Sequence, residues 1–187
     1  MASTTRERIV AAAVEMTTSS GWAAVTMARL AEEAGVSRQT VYNEVGSKTA
    51  LAETMILEEL ARFLGVVEQA FDHEPRDLTR AVERAVSDVL TYARANKLLH
   101  AVVSATHGAD TELLPLLTTN AGSLLGVAKE VVSVRVAPYA PGIDAAHLEP
   151  AIDMVVRVVL SHVMQPSAPP AQTADDIAWV AARVLRT

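Results

Sequence analysis

The segment Ser37-Arg38-Gln39-Thr40-Val41-Tyr42-Asn43 gathers hydrogen-bonding side chains in a sequence otherwise dominated by Ala, Val and Leu. An arginine forks onto guanine O6 and N7, a glutamine onto adenine N6 and N7, and a threonine methyl meets thymine. Arg38, Gln39 and Thr40 are therefore candidates for reading base edges, and Asn43, one helical turn on, reaches the same side. Tyr42 suits a phosphate contact through its hydroxyl, with its ring against the domain. Thr26 and Ser37 at helix N-termini can offer hydroxyl and backbone N–H groups to phosphate, aided by the helix dipole. Lys48 suits a further phosphate contact. Each residue also has a plainer reading. Thr26, Ser37 and Ser47 are good N-caps that need no nucleic acid, and Tyr42 fits ordinary surface packing. What favours the DNA reading is the convergence of these types within about twenty residues on one motif.

That motif is made of short helices. Thr4-x-x-Glu7 reads as a capping box, followed by Ile9, Ala12, Ala13 and Met16 at helical spacing. Gly21 should end this helix as a left-handed residue, with Trp22 folding back on it. Thr26 caps a second helix, Met27 to Ala34, and Ser37 a third, Arg38 to about Val45, which Gly46 closes; Ser47 caps a fourth. Only Gly35-Val36-Ser37 joins the second and third helices. So short a joint, with a glycine free to take positive φ, predicts a sharp crossing: a helix-turn-helix. Val25, Leu30, Ala31, Val36 and Val41 supply its small core. A major groove about 12 Å wide admits one such helix, with residues near its N-terminus facing the bases.

The remainder also reads as helical. Leu51, Met55, Leu60, Leu64, Val67 and Phe71 share one face of a long helix, broken at Asp72-His73-Glu74-Pro75, where Pro75 suits the first turn of the next helix. Leu78, Val82, Val86, Val89 and Leu90 continue toward Ala95. Further helices are expected over Leu98 to about Thr106, ended by Gly108, and over Leu113 to Val136, then from Pro150 to about Gln165 and from Thr173 or Ala174 to near Arg186. Gly122-x-x-x-Gly126 suggests tight helix packing more than ligand approach. The fold class is all-α: an N-terminal three-helix domain over residues 1–48 and a C-terminal helical bundle over 49–187.

Composition narrows the function. The 187 residues are half hydrophobic and one-fifth charged, which argues against disorder. With no cysteine there is neither a disulfide framework nor a thiolate metal site. The net charge of −6 does not favour nucleic acid, but its distribution matters. Residues 1–50 hold Arg6, Arg8, Arg29, Arg38 and Lys48 against Glu7, Glu15, Glu32, Glu33 and Glu44, so the acidity lies entirely beyond them. DNA binding must then come from a few well-placed cations. The N-terminus lacks the charge order and apolar length of a signal peptide. The longest apolar stretch, Met154 to Met164, contains Arg157 and His162 and is too short to span a membrane. A cytoplasmic protein without membrane association is expected.

"TMARLAEEAGVSRQTVYNEVGSKTAL", Thr26 to Leu51, resembles the DNA-binding signature of TetR-family transcriptional regulators. The pattern is Thr, an apolar-Ala helix, Ala-Gly-Val-Ser, a short helix with an apolar-Tyr pair, then Ser-Lys and Leu. The motif covers roughly the first fifty residues; the rest matches in architecture alone. Two positions depart from it. Glu44 stands where the family often has His or Tyr, and Val45 where it often has Phe. The Glu44 carboxylate either points away from the groove or pairs with Arg29 or Lys48, or it weakens nonspecific binding; the sequence leaves these open.

The resemblance implies a homodimer on a palindromic operator, an effector cavity in the middle helices and an intermolecular four-helix bundle from the last two helices. Candidate interface residues are Ile152, Val155, Val156, Val159, Val163, Ile177, Val180, Ala181 and Val184; the alternative is that these faces are intrachain core. An apolar effector is expected. Its candidate polar contacts are Tyr92, His100, Ser104, His107, Thr118 and Asn120, although such histidines are more often merely hydrogen-bonded or exposed. His100 and His107, seven apart, lack the ligand spacing of a zinc site, and neither metal nor cofactor is expected. The implied activity is that of a repressor released by ligand. An enzyme is the first rival, but there is no HExxH, GxSxG or P-loop; in Gly46-Ser47-Lys48-Thr49, Ser47 stands where a P-loop has Lys. The second rival is a helical module that binds protein through residues 34–48.

Overall fold

The computed structural model describes residues 3–105 and 121–185. Among these there are nine α-helices and no strand: α1 (Thr5–Ser20), α2 (Met27–Ala34), α3 (Arg38–Val45), α4 (Lys48–His73), α5 (Leu78–Ala95), α6 (Lys97–Ala105), α7 (Ala121–Val136), α8 (Ala145–Met164) and α9 (Pro170–Leu185). They fall into two compact units. One holds the residues up to Glu59 together with Asn96–Ala121; the other holds Leu60–Ala95 and the chain from Gly122 onward.

The first unit is built around apolar residues that local sequence places inward. Ile9, Ala13 and Met16 of α1 meet Leu30 of α2 and Val41 and Val45 of α3, joined by Trp22, Val25, Leu51, Met55, Leu98 and Val102. Val36 packs on this cluster half-buried. The capping box of α1 is formed: the Thr4 hydroxyl accepts from the Glu7 N–H, and the Glu7 carboxylate accepts from the Thr4 N–H at 2.9 Å. The Thr4 N–H and then the Ser3 hydroxyl, both donating to it, hold the Glu7 carboxyl below its usual value. Gly21 departs from the left-handed expectation. Its φ of 81° and ψ of 160° belong to a region open essentially to glycine alone, from which the chain turns directly into a short 3₁₀ turn at Trp22–Ala24. Asn96 caps α6, accepting from the Leu99 N–H at 2.8 Å and donating to Glu59.

The second unit is organised by α5. Leu78, Ala81, Val82, Ala85, Val86, Val89, Leu90 and Ala93 are all buried, an unbroken three-four stripe. Its alanines face a helix that is itself rich in small residues: Ala174, Ala178 and Ala181 of α9 are buried, and α5 and α9 form the most extensive helix pair. Arg135 of α7 bridges Glu68 at 2.9 Å and Asp72 at 2.7 Å on α4. Just beyond it, Tyr139 donates to the Glu74 carbonyl at 2.8 Å and stands edge-on to Phe71.

Helix starts differ from the sequence expectation at three prolines. Pro75 lies in a turn rather than in the first turn of α5; Asp77 caps α5 instead, its carboxylate accepting from the Arg80 N–H at 3.0 Å. Pro150 does not open α8 but sits inside it, because Asp144 caps the helix six residues earlier through the His147 N–H. The N–H that Pro150 lacks would have paired with Ala146, whose exposure leaves its carbonyl to water. Pro170 is the first residue of α9, ahead of Thr173, where a missing N–H costs nothing. The Gly122 and Gly126 pair is exposed, and a Cβ at either would meet no described atom within 4 Å, so the tight packing expected there is not seen. Thr106, Gly108 and the chain from Leu113 to Asn120 lie outside the described residues.

Candidate nucleic-acid interface

The joint between α2 and α3 has the geometry its sequence calls for. Gly35 takes φ 65° and ψ 38°, the left-handed conformation. The Val36 N–H then reaches back to the Ala31 carbonyl at 2.9 Å and the Gly35 N–H to Glu32 at 3.2 Å, closing α2. Ser37 restarts the chain as the N-cap of α3: its hydroxyl accepts from the Thr40 N–H at 3.0 Å and shares a 2.9 Å hydrogen bond with the Thr40 hydroxyl. Thr26 caps α2 in the same way, through the Arg29 N–H. Both caps are exposed.

Burial sorts α3 into two faces. Val41 and Val45, four apart, are buried in the unit's core. Ser37, Arg38, Gln39, Tyr42 and Asn43 are exposed and Thr40 is half-buried, so the structure brings six of the eight proposed DNA-contacting residues onto or beside one short helix. Tyr42 is 51% exposed, a large aromatic left open to solvent. Arg38 has no hydrogen-bond or ion-pair partner among the described residues. Gln39 and Asn43 are bonded to each other, Gln39 Nε2 donating to Asn43 Oδ1 at 3.0 Å. Lys48, the first residue of α4, lies with Nζ 4.9 Å from the centre of the Trp22 ring, a cation–π contact that anchors the ammonium.

Arg6 is a residue that sequence reasoning did not single out. From the first turn of α1 its guanidinium donates to the Glu44 carbonyl at 2.8 Å and to the Thr54 hydroxyl at 3.3 Å. One side chain thus ties the last turn of α3 to α4. Arg29 donates to the Ala24 carbonyl at 2.9 Å.

The other candidate residues divide between the units. Tyr92 is half-buried in the second, edge-on to Phe63 with ring centres 4.8 Å apart. His100 is exposed on α6 in the first. The Ser104 side chain, His107, Thr118 and Asn120 lie outside the described residues. Of the nine interface candidates, Ile152, Val156, Ile177 and Ala181 are already buried within the single chain. Val155, Val159 and Val163 are half-buried, while Val180 and Val184 are open. Beside these two stand Met154, Val158 and Trp179, also exposed. Met154, Val158, Val180 and Val184 border a groove of about 430 Å³, apolar but for His162 and Asp176 in its lining. Met154 and Trp179 were missed because the sequence shows which residues are apolar, not which side of a helix the protomer's own core has claimed.

Two family models match the chain. Bacterial regulatory proteins of the tetR family match residues 9–55, and the C-terminal domain of the bacterial tetracyclin repressor matches residues 77–183. The chain belongs to the TetR family. Its members are transcriptional regulators, not enzymes. The TetR-family HTH-type transcriptional regulator AlkX of Mycobacterium tuberculosis is 27% identical over 177 residues, 92% of this chain and 81% of that protein. The TetR-family repressor AlkX from Dietzia sp. strain DQ12-45-1b, implicated in biodegradation of n-alkanes, superposes with a TM-score of 0.74 at 28% identity. That match covers 97% of this chain and 95% of the other. FadR from Bacillus subtilis, solved with stearoyl-CoA, shares the fold at 16% identity, with a TM-score of 0.58 and coverage of 95% and 97%. This TetR-family chain is thus an all-α transcriptional regulator with a helix-turn-helix near its N-terminus. No helix among its described residues is long and apolar enough to cross a membrane.

Proposed function

We propose that this regulator represses transcription by binding a palindromic operator as a homodimer and leaves it when an apolar small molecule binds. Residues 1–48 act as the DNA-binding domain and residues 49–187 serve effector binding and dimerisation, in the cytoplasm. The observation that carries the reading is the outward face of α3, where Arg38, Gln39, Tyr42 and Asn43 are exposed above a fully buried Val41. Arg38, Gln39, Thr40 and Asn43 meet base edges; Thr26, Ser37, Tyr42 and Lys48 meet phosphates. One α3 reads one half-site, and specific operators present two about 34–36 Å apart, so two protomers are required. The exposed Val180, Val184, Met154, Val158 and Trp179 of α8 and α9 supply an apolar face for that pairing, supported from beneath by Ile152, Val156, Ile177 and Ala181.

An apolar effector is supported by the AlkX relative implicated in n-alkane biodegradation. A ligand that prefers protomers with wrongly spaced recognition helices weakens DNA binding, and DNA weakens ligand binding by the same factor, typically about 5–150-fold. The experiment is selection of bound duplexes from random DNA. An inverted repeat is expected, and Arg38→Ala with Gln39→Ala should abolish its specific binding while leaving the dimer intact. Emergence of no preferred sequence would overturn the reading.

A further inference from the structure

The two amides of α3 do not face the solvent independently. Each carboxamide has one acceptor oxygen and two donor hydrogens. The bond from Gln39 Nε2 to Asn43 Oδ1, 3.0 Å across one exposed helical turn, takes one hydrogen from Gln39 and turns the Asn43 oxygen toward it. Because an amide is planar, the Asn43 nitrogen then points away from Gln39. Gln39 keeps its oxygen and one N–H; Asn43 keeps two N–H groups. The hydroxyl of the neighbouring Thr40 is engaged with Ser37 instead.

The two remaining patterns match different bases. An oxygen beside an N–H complements adenine, which shows an N6 donor and an N7 acceptor in the major groove. A pair of donors complements an acceptor edge: guanine N7 and O6, or thymine O4. Cytosine shows only its N4 donor. Residues four apart on a helix lie about 5–6 Å from one another, within reach of neighbouring base pairs stacked about 3.4 Å apart. We infer that Gln39 and Asn43 read two neighbouring base pairs as one coupled unit, an adenine facing Gln39 and a guanine or thymine facing Asn43, with cytosine rejected on the strand Asn43 faces. The inference rests on the operator-binding reading and adds its specificity rule. Pairing also orders both side chains before DNA arrives, so removing either partner loosens the other.

The test is a double-mutant cycle read in base preference. Bound duplexes are selected from random DNA with the wild type, Gln39→Ala, Asn43→Ala and the double variant, and affinities are measured on the selected operator and its single-base changes. Each single variant should relax preference at both positions. Each should also weaken operator binding about tenfold, the order of one lost bidentate contact, and the double variant should be little worse than either. Losses that multiply, with each variant relaxing only its own position, would overturn the coupling while leaving the regulator reading intact. A cytosine preferred opposite Asn43 would do the same. A wild type that selects no sequence would overturn both.

Discussion

Ser37 is proposed to serve folding and recognition through the same atoms. Its hydroxyl accepts the Thr40 N–H, and it stands exposed at the start of the helix proposed to enter the groove. Ser37→Ala should cost about 1 kcal/mol through loss of the cap and lower the melting temperature by about 2–4 °C. Ser37→Asp keeps a good cap but sets a carboxylate beside phosphate. It should melt near the wild type yet lose operator binding in a gel-shift titration; if it binds as well as wild type, Ser37 is only a cap. Arg6 poses the complementary case. Its fork spans two acceptors, Glu44 O and Thr54 Oγ1, which a single ammonium cannot reproduce. Arg6→Lys should therefore weaken operator binding nearly as much as Arg6→Ala, although it keeps the charge. Rescue by lysine would show that Arg6 acts only by attracting phosphate. The cap was legible because it is a bond between residues three apart. The Arg6 bond joins residues separated by 38 positions, and no local pattern announces it.

Three carboxyls, two of them at helix starts, should make this chain sensitive to acid. The Asp144 carboxyl is held below its usual value by the His147 ring and by backbone N–H groups at the start of α8. Asp153, one helical turn before Arg157, is held down by the Arg157 guanidinium and then by Lys129. With Glu7 at the start of α1, all three are depressed on folding. Their contribution is thus present above the unfolded carboxylate range near about pH 4 and is lost as pH falls through the folded values. Melting temperature followed from neutral pH down to about pH 2 should drop in that window. Asp144→Asn, which retains an N-cap acceptor but does not titrate, should make the drop shallower; an unchanged acid limb would show that this cap does not contribute. The start of α8 was readable in principle, since Asp144 precedes a helical run, but Pro150 is the stronger local mark and drew the expected boundary to itself. Pro75 misplaced the start of α5 in the same way, whereas α9 begins at a proline, Pro170, ahead of the expected Thr173.

For the whole protein, the proposed pairing of protomers rests on residues that the protomer's own core leaves uncovered. Val180 is 50% exposed and Val184 45%, on the same helix whose Ile177 and Ala181 are buried. Covering one large apolar side chain contributes about 1.5–3 kcal/mol, against the entropy lost on association. Val180→Asp with Val184→Asp should yield a monomer by sedimentation, with helical circular dichroism retained and affinity for the full operator reduced to that of a half-site. A dimer that survives both substitutions would place the interface elsewhere. Trp179, 57% exposed with Arg183 stacked 3.6 Å from its ring centre, offers a fluorescence report on the same event.

Period, caps and turn chemistry are short-range properties, and through them the sequence alone determined the all-α class, the helix-turn-helix and the polar side chains that α3 carries. The inward face of α5 likewise follows from spacing. Which apolar face of α8 and α9 belongs to the protomer and which guanidinium ties α3 to α4 were decided by tertiary structure. Burial and long-range hydrogen bonds depend on what lies across a contact, and a linear sequence holds only one side of it.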